Sequence, residues 1–464
     1  MTVSTSQHSQ NSTNIIDWHL QIHVLFLNNK CFLPVPSCPF LQLLMLSSYQ
    51  GLLKDPLGKI QSRFGNFIIQ YPKTSNSIRS QTIFPKTMPF PCANTTHLGI
   101  GRSIQKPNSV HRLRPGDIDV IGALGDSLIA GNGAMEEWAL GTMIEYRGVS
   151  WCAVVIGMHC IYRVWCEGLI LVVLRESSGQ GTWREYLTLP NILKEYNPHL
   201  TGYSTGTGEF LSRNSQLNVA FPVAADADAL RQAKILVKKI KTNRNIDINR
   251  DWKMITVFFG ANDICSAQCY DSEKASAENH VRKLMLALDY LEQNLPRTFI
   301  NLIPVLDVSV SVRVKRTMMC RLLHGLFCGC FHSGGNEMEI ITSLTKEYQR
   351  AEEELISSGR YDKKEDFTVV LQPFMKLFNA PSLPAHRYAE VIDISYITHD
   401  CFHFSQKGHA LGANLLWNNL LQPVGRKSTR RLNYILENFE CPKPDSPYLF
   451  TNKNSETFFE TGHQ

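Results

Sequence analysis

The sequence has no terminal stretch of 18 or more apolar residues, so we expect no C-terminal membrane anchor within it. Its first apolar run, at 22–27, is short and is followed by Asn28, Asn29 and Lys30, which argues against an ordinary secretory signal peptide. It also lacks a dominant block of like charge. The 47 basic and 41 acidic residues leave a formal net charge of +6, and nothing in their distribution points to nucleic acid.

Cysteine is plentiful by comparison, with thirteen residues. Five of them lie in the N-terminal flank or in the segment 152–178, which we expect to be foreign to the fold. The other eight suit a disulfide framework in an exported protein, and the local pair expected first is Cys265 with Cys269. They are Cys92, Cys265, Cys269, Cys320, Cys328, Cys330, Cys401 and Cys441. A zinc site is the competing interpretation, but the spacings contain no paired Cys-x-x-Cys arrangement.

The chain divides by composition into a leader, a domain and a tail. Residues 1–88 mix Ser, Asn and Pro with scattered apolar residues and show neither a helical nor a strand period, which is typical of a disordered or mispredicted leader. We expect one domain over 89–450 and a flexible tail over 451–464. The sequon Asn94-Thr95-Thr96 fits glycosylation and export.

The segment 152–178 interrupts the expected domain. The run from Trp151 to Leu174 approaches the length of a membrane helix, but it contains His159, Arg163 and Glu167. Central charges each cost about 2.5 to 3.5 kcal/mol on membrane-insertion scales. A single crossing would also separate the parts of the domain on either side of it. We therefore expect an insertion extraneous to the fold, such as retained non-coding sequence, and not an anchor.

Short apolar runs rich in β-branched or aromatic residues alternate with amphipathic segments from residue 118 onward. The predicted strands are 118–124, 254–259, 298–306 and 367–372. The predicted helical faces carry Leu230, Ala233, Val237 and Ile240, then Val281, Leu284, Leu288 and Leu291, then Ile340, Leu344, Tyr348 and Leu355. Strands separated by helices form βαβ units, so we predict an α/β fold with a parallel sheet covered on both faces. Ligands of such sheets bind at the carboxyl ends of the strands.

Two strand ends carry residues suited to acyl-ester chemistry. The first predicted strand runs into Gly125-Asp126-Ser127-Leu128. A serine on a tight turn after a strand can expose its hydroxyl and lend its backbone N–H to an oxyanion. The second ends in Phe259-Gly260-Ala261-Asn262-Asp263, where an asparagine amide can donate to the same oxyanion and Gly260 allows a close turn. A glycine-rich turn and an Asx turn are the purely structural alternatives.

A third motif lies near the C-terminus, where Asp400-Cys401-Phe402-His403-Phe404-Ser405 leads into a predicted helix. The apolar side of that helix carries Ala410, Leu411, Leu415 and Trp417. An Asp three residues before a His can orient the ring and leave its other nitrogen to accept the proton of Ser127. A structural loop histidine is the alternative for this motif alone. The three motifs together, in this order, predict a serine hydrolase site.

The motifs and their order resemble the SGNH (GDSL) hydrolase superfamily, and residues from about 90 to 450 resemble the membrane-associated phospholipase B family. The closer resemblance rests on longer strings: Pro115 to Gly133, Tyr146 to Trp151, Leu189 to Glu195, Gly202 to Gly208, Asp251-Trp252-Lys253, Ser358 to Asp362, and Trp417-Asn418-Asn419. This resemblance implies a three-layer α/β/α fold with a central, mainly parallel sheet.

The resemblance also implies a site with a nucleophile, a base and its carboxylate partner, an oxyanion hole and two supporting residues. The implied nucleophile is Ser127, and the implied base is His403 with Asp400 as its partner. The implied oxyanion donors are Ser127, Val223 and Asn262, and the supporting residues are Asp126 and Gly260. The implied substrates are glycerophospholipids and lysophospholipids at a membrane surface, and no metal or other cofactor is implied. Such an enzyme is expected to be secreted or to lie at the extracellular face of a membrane. The oligomeric state does not follow from the resemblance.

The chain departs from the family pattern in two places. Family members run almost directly from the Ser-Trp pair to the Leu-Pro-Asn helix, whereas about thirty residues intervene here, which supports the insertion. The family block Asn-x-Ala-x-x-Gly ends here in Val223, so valine replaces the glycine whose N–H completes the oxyanion hole. If that position needs a positive φ, a β-branched residue is strained by roughly 1 to 3 kcal/mol. Loss of one oxyanion donor costs about 10²- to 10³-fold in rate.

Two alternatives therefore stay open beside a phospholipase B-like enzyme. One is an SGNH esterase that acts on other esters, such as sugar acetates, which a substrate panel would separate from a phospholipase. The other is a weakened repeat that folds and binds lipid or a partner without turnover. Val223 and the insertion favour the weakened repeat, while the intact Ser127, Asp400 and His403 oppose it.

Overall fold

The computed structural model describes residues 78–462 with gaps at 98, 137–138, 152–162, 167–168, 173–180, 205, 267–268, 270, 314–317, 329, 331–336 and 381–392. Most of the leader expected over 1–88 thus lies outside the described residues. Its last part packs on the domain, because Gln81 is buried and its side chain accepts a hydrogen bond from the Leu187 N–H at 2.8 Å. The described part of the domain accordingly begins before the expected boundary at residue 89.

A parallel sheet forms the centre of the domain. The described strands are β1 (Ile118–Gly125), β2 (Arg163–Cys166), β3 (Leu169–Val172), β4 (Trp252–Phe258), β5 (Thr298–Leu302) and β6 (Phe367–Leu371). Strands β1, β4, β5 and β6 lie side by side in that order, and every neighbouring pair is parallel. The four correspond to the four predicted runs. Because parallel neighbours need crossover connections, all four carboxyl ends meet at one edge of the sheet.

Helices cover both faces of this sheet. They are α1 (Ala93–His97), α2 (Ser127–Ala130), α3 (Leu189–Lys194), α4 (Ala229–Thr242), α5 (Ala261–Cys265), α6 (Ala277–Asn294), α7 (Val310–Arg313), α8 (Met318–Phe327), α9 (Glu337–Ser357), α10 (Gln406–Leu420) and α11 (Asn452–Glu460). Alternate residues of β4 point to opposite faces. Ile255 packs in the core that contains α4 and α6, while Met254 packs in the core that contains α3 and α10. The three-layer α/β/α fold is therefore confirmed.

The third predicted helical face packs on the core at Leu344, Tyr348 and Leu355, and only its first residue is wrong. Ile340, expected on the apolar side of α9, is 49% exposed, whereas Ile341 and Tyr348 are buried. The buried positions of α9 continue through Thr345 and Glu352, which are also buried. These two polar residues interrupt the apolar period, and this explains why the sequence pattern did not reveal the whole buried face.

Two further segments extend the sheet along the outer edge of β1. The Ile121 N–H donates to Thr201 O at 2.9 Å, and the Val219 N–H donates to Ala123 O at 2.9 Å. The chain then continues to Phe221, whose N–H donates to Gly125 O at 3.3 Å. The segment that leads to Val223 is thereby held beside the carboxyl end of β1.

In place of the flexible tail expected over 451–464, the structure has the helix α11. Thr451 caps its N-terminus and its hydroxyl is 2.8 Å from the ring of His111. Phe458 packs edge-on against Phe450 with ring centroids 5.2 Å apart. A capping residue and an aromatic anchor therefore fix this segment to the domain, and the polar composition that suggested a tail belongs to the solvent side of a docked helix.

Strands β2 and β3 pair with each other in antiparallel register. They belong to a compact unit separate from the one that contains the central sheet. The rest of 152–178 lies outside the described residues, so the extraneous insertion stays a prediction. Before and after this segment the chain is hydrogen-bonded to itself, because the Leu189 N–H donates to Trp151 O at 3.0 Å. None of the described helices is both long and apolar enough to cross a membrane.

Candidate active site

The candidate nucleophile lies where β1 ends. A Cβ at Gly125 would come within 2.7 Å of the Phe258 carbonyl oxygen, so this close approach of β1 to β4 requires glycine. Asp126 caps α2 by accepting a hydrogen bond from the Leu128 N–H at 2.9 Å, and burial raises the pKa of Asp126 to about 7. Ser127 follows as the first residue of α2. The turn and its cap thus hold the Ser127 backbone in one conformation.

Gln232 of α4 holds the same turn from behind, and sequence reasoning missed it. Its side-chain oxygen accepts from the Gly125 N–H at 2.8 Å, and its side-chain nitrogen donates to Gly125 O at 2.7 Å. Both ends of the amide are therefore used on the residue that precedes Asp126. Gln232 is fully buried. The signal that could have revealed it is a glutamine beside Ala233 on an otherwise apolar helical face.

The third motif brings a histidine to this serine. His403 Nε2 lies 2.8 Å from Ser127 Oγ, and His403 Nδ1 lies 2.6 Å from Asp400 Oδ2. The histidine is 12% exposed at its side chain and the aspartate 1%. Ser127 lies 273 positions before Asp400 and 276 before His403, and only the shared edge of the sheet brings the serine to this pair. The arrangement has the order and the distances of a Ser-His-Asp relay.

Asp400 is held by a dense set of hydrogen bonds. Its Oδ1 accepts from the backbone N–H groups of Phe402 at 2.9 Å and His403 at 3.1 Å, and also from the Thr398 hydroxyl. Burial alone would raise the pKa of Asp400, but the neighbouring His403 and these hydrogen bonds outweigh burial and hold the pKa well below its usual range. Asp400 is therefore ionised at neutral pH and can stabilise a protonated His403 ring.

The candidate oxyanion donors lie on two loops at the same edge. Asn262 is in the first turn of α5, just after Gly260, which has a φ of 109°. The Asn262 side-chain nitrogen donates one hydrogen to Ala224 O at 2.9 Å, and a primary amide has a second hydrogen to donate. This bond joins α5 to the loop that contains Val223. The predicted donor Asn262 is thus held beside the loop of the other predicted donor, Val223, through the carbonyl of Ala224.

Val223 has a positive φ, the conformation that glycine adopts easily and a β-branched residue does not. Its φ is 55°, in the left-handed region, and its side chain is 61% exposed. Phe221 is hydrogen-bonded to Gly125, and Ala224 to Asn262, so the loop keeps its position despite the β-branched residue. A valine in this region is strained by about 1 to 3 kcal/mol. The expected strain is therefore present, while the loop is not displaced from β1.

The family model described as GDSL-like Lipase/Acylhydrolase matches residues 121–416 of this chain. The match runs from β1 through the serine turn and the Asp400 to His403 loop into α10. The chain belongs to the GDSL-like lipase and acylhydrolase family. In this GDSL family member, Ser127, Asp400 and His403 all lie inside the matched residues.

Three curated relatives of this GDSL family member carry the name "Phospholipase B1, membrane-associated". The chain is 36% identical to the Mus musculus protein over 441 residues, which are 92% of this chain and 25% of the relative. It is 39% identical to the Homo sapiens protein over 358 residues, 75% of this chain and 22% of the relative. It is 36% identical to the Rattus norvegicus protein over 362 residues, 77% of this chain and 23% of the relative. The chain thus spans about a quarter of the length of these relatives.

A buried charged cluster lies behind α5 in this GDSL domain, and sequence reasoning missed it. His280 of α6 is fully buried, with its ring nitrogens 3.4 Å from Asp226 and 3.3 Å from Glu352 of α9. Lys283 Nζ donates to Asp226 at 2.7 Å, and the Asp226 N–H donates to Asp263 Oδ2 at 3.0 Å. The cluster therefore links three helices. Asp263 lies on α5 next to Asn262, His280 and Lys283 lie on α6, and Glu352 lies on α9. Among the described residues, no group of three or more His, Cys, Asp and Glu is arranged to hold a metal ion.

Electrostatics explain why the cluster tolerates burial. Burial lowers the pKa of His280, but hydrogen bonds to Asp226 and Glu352 outweigh it and raise the pKa to about 9. Burial and the charge of Asp226 raise the pKa of Asp263 to about 8, so this carboxyl is neutral at pH 7. A cationic histidine thus stands between acidic partners. The signal in the sequence was His280, one turn before Leu284 on the predicted apolar face.

The eight cysteines expected to form a framework pair as four disulfides. They are Cys92–Cys441, Cys265–Cys328, Cys269–Cys330 and Cys320–Cys401, with Cα separations of 5.4, 4.8, 5.5 and 5.5 Å. The framework is confirmed, but the expected local pair of Cys265 with Cys269 is wrong. Both cysteines join the segment after α8 instead, because the fold returns that segment to the end of α5. The thiols in these bonds are not available as zinc ligands.

Proposed function

We propose that this chain is a serine ester hydrolase that cleaves fatty-acyl esters of glycerophospholipids and lysophospholipids through an acyl-enzyme on Ser127. The observation that carries the proposal is the relay of two hydrogen bonds, from Ser127 Oγ to His403 Nε2 at 2.8 Å and from His403 Nδ1 to Asp400 Oδ2 at 2.6 Å. Membership of an acylhydrolase family supports an ester as substrate. The name of the curated relatives supports a phospholipid.

Acylation begins when Ser127 Oγ attacks the acyl carbonyl carbon and His403 Nε2 accepts the hydroxyl proton. The carbonyl oxygen becomes an oxyanion, for which the donors are the Ser127 N–H, an Asn262 side-chain N–H and the Val223 N–H. The ionised Asp400 stabilises the protonated ring. Collapse of the tetrahedral intermediate breaks the ester bond, and His403 returns the proton to the leaving alcohol, which is a lysophospholipid or a glycerophosphodiester.

Deacylation repeats these steps with water. His403 accepts a proton from the water that attacks the acyl-enzyme, and the oxyanion is held by the same donors. The fatty acid leaves when the second intermediate collapses and the proton returns to Ser127 Oγ. Asp126 and Gln232 support the reaction only through position, because they fix the turn on which Ser127 stands.

The compartment belongs to the same proposal. Four disulfides are typical of a protein that matures in an oxidising compartment, so we place the enzyme outside the cytosol. Membrane association is taken from the name of the relatives. Substrates that reside in membranes and an oxidising compartment together favour the extracellular face of a membrane.

The direct test is release of fatty acid from phosphatidylcholine and lysophosphatidylcholine by the purified chain. Ser127→Ala should abolish turnover, and Asp400→Asn should lower kcat by about 10⁴-fold through the wrong ring tautomer. Ser358→Ala, an exposed serine on another helix end, is the matched control and should leave kcat unchanged. A fluorophosphonate probe should add its mass to Ser127 alone. Turnover that survives Ser127→Ala would contradict the proposed nucleophile.

A second candidate function is supported by Val223. Its strained φ of 55° at an oxyanion donor suits a repeat that binds lipid and turns it over slowly or not at all. The two candidates differ in one measurement. A folded protein that reacts with the fluorophosphonate probe yet releases no fatty acid would favour the binding repeat, whereas multiple turnovers would favour the enzyme.

A further inference from the structure

We propose that the exposed face of α8, made of Met318, Arg321 and Leu322, docks the domain on the surface of a phospholipid membrane beside the catalytic loop. The proposal rests on the proposed function, because a lipid esterase must meet its substrate at such a surface. We call these three residues the docking face. They stand at positions i, i+3 and i+4 of one helix and therefore share one side of it.

The two sides of α8 have opposite surroundings. Met318 is 88% and Leu322 is 45% exposed, and Arg321 is exposed between them. On the other side, Cys320 and Leu323 are buried. Single exposed apolar residues are ordinary on protein surfaces, but two on one helical turn with a cation between them form an amphipathic surface that fits a lipid interface. The methionine and leucine would enter the acyl region, while the arginine would stay at the head groups.

The buried side of α8 is attached to the catalytic loop. Cys320 forms a disulfide with Cys401, which lies between Asp400 and His403, and their Cα atoms are 5.5 Å apart. Ile397 packs against the same two cysteines. The docking face therefore cannot move far without moving the loop that holds the base. Contact with a membrane through α8 would bring the membrane surface to the catalytic loop.

A second disulfide attaches the other end of α8 to the oxyanion side of the site. Cys328 follows the last residue of α8 and joins Cys265, the last residue of α5, with a Cα separation of 4.8 Å. Asn262 lies in the first turn of that same short helix. The helix that carries the docking face is thus anchored to both parts of the active site. This is the placement that an interfacial enzyme needs to deliver lipid from a bilayer to its nucleophile.

The charge of this part of the chain favours a phospholipid surface over an apolar protein groove. No acidic residue occurs in the sequence from Val308 to Asn336. The basic residues in the same stretch are Arg313, Lys315, Arg316 and Arg321. Anionic head groups attract such a segment, and the attraction is lost when salt screens it. Of these basic residues, Arg321 belongs to the docking face.

The test measures binding to vesicles with the inactive Ser127→Ala protein, so that hydrolysis does not change the lipid. Vesicles of phosphatidylcholine, with and without phosphatidylserine, are sedimented with the protein. Met318→Glu combined with Leu322→Glu should weaken binding by about tenfold or more, because two apolar side chains no longer enter the lipid. Arg321→Gln should weaken binding about fivefold on vesicles with phosphatidylserine at low salt and little on phosphatidylcholine alone.

Leu286→Glu is the matched control, because Leu286 is also 45% exposed on a helix but lies on α6, which none of the four disulfides joins. It should leave vesicle binding within about twofold of the parent, since a surface substitution elsewhere costs little. Equal losses in the control and in the docking-face variants would overturn the proposal. So would docking-face variants that bind vesicles as tightly as the parent.

Hydrolysis separates this inference from the proposed function. With Ser127 intact, the docking-face variants should hydrolyse a water-soluble short-chain ester at the parental rate and vesicle lipid more slowly. Loss of both activities would point to misfolding, and Met318→Gln with Leu322→Gln then replaces the charged pair in the binding assay. If the parent hydrolyses no ester, the proposed function fails, while vesicle binding of the Ser127→Ala series still decides the docking face. A docking-face variant that changes only self-association in sedimentation equilibrium would assign the face to a second copy and refute a membrane role.

Discussion

Replacing Val223 by glycine should raise both the stability and the turnover number of the domain. Val223 has a φ of 55° and is 61% exposed, so its side chain gains little from burial while its backbone is strained. The strain amounts to about 1 to 3 kcal/mol for a β-branched residue. Glycine removes it but adds about 0.5 to 1 kcal/mol of conformational entropy to the unfolded chain. The free energy of unfolding should therefore rise by about 0.5 to 2 kcal/mol.

In the proposed mechanism the same strain acts on catalysis, because the Val223 N–H is one of the proposed oxyanion donors. The strain lowers the population of the positive-φ conformation, in which we propose that the Val223 N–H faces the reacting carbonyl. Because Phe221 is bonded to Gly125 and Ala224 to Asn262, relief of the strain acts on the peptide between these anchors. A gain of about 0.5 to 2 kcal/mol in the competent conformation corresponds to a two- to thirtyfold increase in kcat. KM should change little, since the donor acts mainly on the transition state.

The assay is steady-state hydrolysis of lysophosphatidylcholine, with urea unfolding of the same proteins in parallel. Val223→Ala is the control that keeps a Cβ without the branch, so its kcat and stability should fall between those of the parent and of Val223→Gly. Ser127→Ala should be inactive in each background. The strain argument is refuted if Val223→Gly changes neither kcat nor the free energy of unfolding. Folded variants that hydrolyse no ester would instead favour the binding repeat.

The remaining predictions concern stability, modification and the inserted segment. His280→Ala should lower the free energy of unfolding by about 3 to 5 kcal/mol in urea titrations, because it leaves buried carboxylates without their cation; a loss below about 1 kcal/mol would contradict this. The pKa of Asp263 is raised to about 8 against about 4 in an unfolded chain, so its contribution to stability is lost as pH rises between these values. Asp263→Asn should flatten that decline, as measured by unfolding at pH 5 and pH 8. Secretion from a glycosylating cell should attach a glycan to the exposed Asn94, detected as a mass increase that Asn94→Gln lacks. Deleting 152–178 should leave the melting temperature unchanged or raise it, and an unfolded product would show that the segment belongs to the fold.

Much of the fold and site followed from local sequence patterns. Four apolar runs predicted the four strands of the parallel sheet because a buried strand needs apolar residues on both of its faces. The position of Ser127 also followed locally, because a strand that ends in glycine and is followed by a helix-capping Asp defines a tight turn. The spacing of Asp400 and His403 predicted their contact, since three residues suffice to close a turn on which the carboxylate faces the ring.

Other features depended on which distant segments pack together, and spacing could not reveal them. The cysteine count predicted a framework, but Cys265 pairs with Cys328 because the chain after α8 returns to α5, a contact across 63 positions of sequence. The charged cluster around His280 was hidden because His280 and Glu352, taken singly, look like polar residues that interrupt a helical face. Its pKa values arise only when burial and opposite charges meet in the packed domain.

Val223 marks the boundary between the two kinds of information. The sequence by itself determined that a valine stands where the family has glycine, and that the cost depends on the sign of φ. Only the tertiary structure decided that sign, because hydrogen bonds from β1 and α5 hold the loop on both sides and leave Val223 with a φ of 55°. Local preference alone would place a β-branched residue at negative φ, and the two anchors outweigh it because each joins the loop to an element of the central fold.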